Sequence, residues 1–198
     1  MGFTIAIALP RFDQRRQLEI EEANSIGTTR LRAELLPEPQ RTRSLELLRE
    51  YIDVRIEFGK VGRVRADMNR NTQRTNALQA QIWQQTVAVA REHPTPVTTA
   101  YIASLNETID ITESRLAAFE NRVPHAVWLI VIIVALFQSF VTGFSLQHKL
   151  WFPVVVTPAV IAVVLALVAD LDSPRTGLIL VEQNSMARLV PGATGTAK

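Results

Sequence analysis

Charged and apolar positions are sharply segregated along this chain. Between Pro10 and Arg122 nearly every stretch carries charge, whereas between Val123 and Ala169 the only formal charge is Lys149, with His148 beside it. A globular core is rarely so divided, because each of its helices needs a wet face. Two runs inside the apolar stretch, about Ala126 to Leu146 and about Leu150 to Ala169, each have roughly the 20 residues that a helix needs to cross about 30 Å of hydrocarbon. The connector Gln147-His148-Lys149 suffices for a tight turn, so the pattern predicts a two-helix hairpin across a bilayer. Trp128, Trp151 and Phe152 fall near the expected interfaces, where amphipathic rings are enriched. Pro124 can start the first helix, and Pro158 should kink the second by removing a backbone donor. Gln138, Thr142 and Ser145 share one helical face of the first span, which should turn toward protein or water and away from lipid.

The polar part of the chain carries apolar residues at helical spacing and no strand pattern or internal repeat. A first helix is expected from the N-terminus to about Leu36, ended by Pro37-Glu38-Pro39. A second, about Gln40 to Phe58, places Leu45, Leu48, Ile52 and Ile56 on one stripe, and Gly59 and Gly62 bracket a break. A third, about Arg63 to Arg91, carries Leu78, Ile82 and Val87 and is polar between Asn69 and Gln81. The fourth, about Pro96 to Arg122, presents Tyr101, Leu105, Ile109, Leu116 and Phe119, with Thr95 as its cap. Within the first helix, Ala23, Gly27 and Thr28 are small enough to permit close helix approach.

Flanking arginines set the expected orientation. Arg115 and Arg122 precede the hairpin and Arg175 and Arg188 follow it, while the connector offers only Lys149. The positive-inside rule then puts the polar region and the C-terminal tail in the cytoplasm. Gly2 to Leu9 is apolar, too short to span, and followed at once by Pro10 and Arg11, as the cytoplasmic end of a longer helix would be. It lacks the basic leader and small-residue cleavage site of a signal peptide. The expected organisation is 1–9 as the end of a truncated membrane helix, 10–122 as a cytoplasmic helical region, 123–169 as the hairpin, and 170–198 as a cytoplasmic tail with a disordered end.

Composition changes this picture little. The net charge of +2 is small and both signs intermingle, which is not the basic stripe of a nucleic-acid binder. Arginine greatly outnumbers lysine, a trait of anion recognition or of composition bias. No cysteine is present, so disulfides, thiolate metal sites and cysteine nucleophiles are excluded. His93, His125 and His148 are too far apart for a metal-ligand spacing, and no phosphate loop or nucleophile elbow occurs. Paired acids such as Glu21-Glu22 read as a solvated helix face. Nothing calls for an enzyme or a cofactor. Asp170 and Asp172, just past the second span, either end the helix in water or form a small cation site.

Several blocks, in order, resemble the bacterial family of bestrophin-like membrane proteins, a domain of unknown function. They are Arg11-Phe12-Asp13-Gln14-Arg15-Arg16, Glu21-Glu22-Ala23-Asn24-Ser25-Ile26-Gly27-Thr28, and Leu35-Leu36-Pro37-Glu38-Pro39 followed by Tyr51-Ile52-Asp53. Then come Leu105-Asn106-Glu107 with Ile109-Asp110, Val123-Pro124, and Asp170-Leu171-Asp172-Ser173-Pro174 with Gly177. The resemblance implies two N-terminal membrane helices, of which this sequence keeps only the tail of the second, then a helical cytoplasmic region and two C-terminal membrane helices. It also implies a bacterial inner-membrane location and an oligomeric anion channel or pore component that acts on an inorganic ion. Its acidic residues after the last span, here Asp170 and Asp172, would be the cation site. A non-conducting scaffold, binding cytoplasmic partners or its own copies through the helical region, is the other expectation. The fold class expected is all-α.

Overall fold

The computed structural model describes residues 2–60, 65–121, 123–145, 151–172 and 184–190. All regular elements among them are helices: α1 (Gly2–Ala33), α2 (Gln40–Lys60), α3 (Arg65–Glu92), α4 (Pro96–Glu120), α5 (His125–Ser145), α6 (Trp151–Asp172) and the single turn α7 (Asn184–Ala187). The all-α class is therefore the observed one, and helix boundaries lie within a few residues of those the periodicity predicts. The chain divides into two compact units, one of Met1–Asp13 with Phe119–Leu180, the other of Gln14–Ala118 with Val181–Lys198.

In the larger unit the core is formed by Ile26, Leu48, Ile52, Ile82, Tyr101 and Leu105, with Leu45, Ile56 and Ile109 packed against it. These are largely the stripes read from spacing on α2, α3 and α4. α2 and α3 lie against each other. Between α1 and α2 the chain turns at Glu34–Leu36, where Leu36 N–H bonds the Ala33 carbonyl, and passes a cis Glu38–Pro39 peptide. The Glu38 carboxylate then accepts bonds from the Thr42 hydroxyl at 2.9 Å and from Arg41 Nε at 2.7 Å, bracing the first turn of α2. Thr95 caps α4 as its position suggests: its hydroxyl accepts the Thr98 N–H at 3.2 Å, and Pro96 occupies the first helical position, where a missing N–H costs nothing.

The C-terminal segment belongs to this unit. Met186 is fully buried and its N–H bonds Glu19 Oε1 at 3.1 Å, while Arg30 Nη1 bonds the Leu189 carbonyl at 2.9 Å. Residues 184–190 thus form a strap across α1, packed also on α2. The expected disordered end of the tail, and the connector 147–149, lie outside the described residues.

In the smaller unit α5 and α6 lie against each other. Ala8 of α1, Trp128 near the start of α5 and Val168 near the end of α6 meet in one apolar cluster with Phe12. α4 ends at Glu120, before Pro124, and α5 starts anew with Val127 N–H bonding the Pro124 carbonyl. The chain therefore breaks there, where a residue preceding proline disfavours helix. Among the described residues one helix, within Pro96–Phe144, is long and apolar enough to cross a membrane; the apolar stretch described in α6, Val155–Asp170, is shorter.

Candidate functional site

Two features stand out. One is the surface of α5. Its large apolar side chains are exposed over most of its surface, from Leu129 and Ile130 through Leu136, at 66% exposure, to Phe144 at 86%, while Val131 and Ala135 lie on a half-buried face. Phe140 and Phe144 stack with ring centroids 6.2 Å apart. So broad an exposed apolar surface on one helix is far outside what water tolerates. On this helix Gln138 is exposed and Thr142 is half-buried, its hydroxyl bonded back to the Gln138 carbonyl at 2.9 Å. Ser145 closes α5, and its side chain lies outside the described residues. Back-bonding of this sort satisfies a hydroxyl inside its own helix and leaves the Gln138 amide as the strongest polar group on that face.

The second feature lies in the larger unit and was misread from sequence. Glu22, expected on a solvated face, is completely buried. Arg55 Nε of α2 donates to its Oε1 at 2.6 Å, and Arg115 Nη1 of α4 donates to its Oε2. Both guanidiniums sit over the Phe58 ring, 4.4 Å and 5.5 Å from its centroid, a cation–π arrangement that desolvation strengthens. Burial pushes the Glu22 carboxyl up, but the charges and hydrogen bonds of Arg55 and Arg115 outweigh it and hold the group below the ordinary 4.5. The carboxylate is therefore ionised at neutral pH, between two cations, in a cluster of formal charge +1.

Hydroxyls extend the cluster. Gln79 Nε2 donates to the Tyr51 hydroxyl at 3.2 Å, and Tyr51 lies 2.7 Å from Thr112 Oγ1. The Thr112 hydrogen has acceptors at Glu22 Oε1 and at the Thr108 carbonyl, so Tyr51 is the donor in its bond to Thr112. Thr108 Oγ1 in turn meets Ser25 at 2.8 Å and Thr29 at 2.9 Å. Burial raises the Tyr51 phenol above its ordinary value, so it remains neutral. This network ties four helices by fixed charges and neutral hydroxyls.

The remaining expected residues are dispersed. Ala23 is buried in the core, Gly27 approaches Leu189 of the strap, and Thr28 is exposed; it is Ser25 and Thr29 that make the close polar contacts of α1. Asp170 is half-buried near the end of α6, and the Asp172 side chain lies outside the described residues. Among the described residues no group of three or more His, Cys, Asp or Glu is placed to hold a metal ion.

The model of the Bestrophin-like domain family matches residues 1–186. The chain belongs to the Bestrophin-like family. No curated protein and no solved structure matches it. Family membership and the exposed apolar helix together support a bestrophin-like membrane protein in general.

Proposed function

We propose that this Bestrophin-like chain is a subunit of an oligomeric anion channel or pore. The observation that carries the reading is α5, whose broad exposed apolar surface matches lipid tails and neighbouring copies better than water. In this reading α5 and α6 cross the inner membrane as a hairpin, 123–169, with 10–122 and the tail in the cytoplasm. Gln138, Thr142 and Ser145 then face the pore or a neighbouring helix, where a polar side chain finds partners that lipid does not offer. Asp170 and Asp172, at the membrane surface, are the candidate cation site of the assembly.

A second reading is a non-conducting scaffold. Leu31 and Leu35, 60% and 67% exposed at the end of α1 and in the turn after it, leave an apolar edge on the helical unit for a cytoplasmic partner. Mass measurement of the protein in mild detergent, paired with anion flux after reconstitution, separates the two. A defined oligomer that conducts supports the channel; an oligomer that does not conduct supports the scaffold. A reproducible monomer removes the channel and the self-assembling scaffold together.

A further inference from the structure

A cavity of about 200 Å³ opens in the larger unit between α1, α2 and the strap, and it shares no lining residue with the buried Glu22 cluster. Its apolar wall is Leu45 and Ile52 of α2 with Leu189 and Val190 of the strap, and its polar groups are Arg30, Arg49 and Asp53. Apolar walls with a few convergent polar groups are the usual make-up of a small-molecule site. Two guanidiniums against one carboxylate leave the lining at formal charge +1. Arg30 is only partly satisfied: its Nη1 bonds the Leu189 carbonyl, whereas its Nε is buried without a hydrogen-bond partner.

From this lining we infer a binding site for a small monocarboxylate with a compact apolar body, whose occupancy holds the C-terminal strap against α1 and α2. The size fits, since a cavity of about 150 Å³ accepts benzene and a somewhat larger one accepts a ring bearing a carboxylate. Arg30 and Arg49 are the donors for the carboxylate, because guanidinium forks match its two oxygens. The ring or branched chain fills the space between Ile52 and Leu189. Asp53 disfavours a second negative charge, so dicarboxylates are rejected. Since Leu189 and Val190 form half the apolar wall, any ligand that binds the cavity with the strap in place stabilises the docked strap by mass action. The site does not depend on conduction: it stands or falls on binding alone.

The test uses the full chain in lipid nanodiscs, with 4-fluorobenzoate as the probe, followed by fluorine NMR. The neutral 4-fluorobenzyl alcohol is the control for partition into lipid. Saturable binding of the acid is expected, with neither the alcohol nor succinate competing. Arg49→Leu removes an exposed cation and Leu45→Trp fills the cavity from a half-buried position, so neither threatens the fold. Each should weaken binding by about tenfold or more, the scale of one lost charged contact. Saturating acid should also slow trypsin cleavage after the exposed Arg188 in the unaltered chain. No saturable binding at millimolar acid, equal binding of the alcohol, or affinity unchanged in either variant would overturn the site. Unchanged cleavage at Arg188 under saturation would overturn its link to the strap.

Discussion

Glu22 is where one side chain matters most. A carboxylate removed from water is tolerable only because two guanidiniums and a threonine hydroxyl replace the lost hydration. Glu22→Gln would leave Arg55 and Arg115 beside Phe58 without the carboxylate they share, at an expected cost of about 3–5 kcal/mol, read by chemical denaturation of the helical unit. The pH dependence has a definite sign. Because the folded-state value is held below 4.5, the stability from this group is complete above that value and is lost as pH falls through the lowered one. Glu22→Gln should therefore flatten the loss of stability below pH 4.5; an unaltered acid profile would sink the assignment. Little of this was legible in the sequence, where a double acid on a charged helix reads as solvated. The signal that was present is one of phase. Arg15, Glu19, Glu22, Ile26, Thr29 and Ala33 recur at three and four residues, and although only Ile26 and Ala33 are apolar, all six are buried. On α4 the stripe of Tyr101 and Leu105 likewise continues through Thr108, Thr112 and Arg115. Hydrophobicity ranks the polar members as surface; periodicity places them inside, where partners on other helices satisfy them.

At the scale of the helix, α2 and α4 followed the sequence because their apolar stripes are regular and their ends carry proline, threonine or glycine. The break between α4 and α5 was less legible, since a continuous helix with a bend at Pro124 satisfies the same pattern. α5 itself was the most legible element, being apolar over nearly its whole length. If it lies in lipid, Leu136→Arg places a charge near its middle and should cost about 2.5–3.5 kcal/mol of insertion. Carbonate extraction of membranes should then release more of the variant than of the unaltered protein, and equal retention would argue that α5 is covered by protein. Gly27 offers a test of the strap. A Cβ there would meet Leu189 Cδ2 at 3.3 Å, a contact that the leucine tip can relieve. Gly27→Ala should thus fall within about 1 kcal/mol of neutral, helix propensity offsetting the crowding. Gly27→Leu cannot be accommodated so easily and should speed trypsin cleavage after Arg188. Similar cleavage in both variants would mean that Leu189 does not rest on α1.

For the molecule as a whole, the sequence conveyed an all-α chain with a segregated apolar segment, and ordered residue blocks pointed to the family that the family match bears out. Assembly was beyond it, because contacts between copies leave no periodic trace in one chain; the polar face of α5 is the nearest thing to one. If copies of α5 enclose a path for anions, Gln138 offers the strongest hydrogen-bonding group on that face, and Gln138→Leu should reduce conductance while leaving the oligomer intact. The most direct measurement is anion flux into liposomes carrying the reconstituted protein, read against empty liposomes and against Gln138→Leu. The channel reading predicts flux above the empty control that falls in the variant. Flux no greater than that of empty liposomes, from protein with verified oligomeric mass, would contradict it and leave the scaffold.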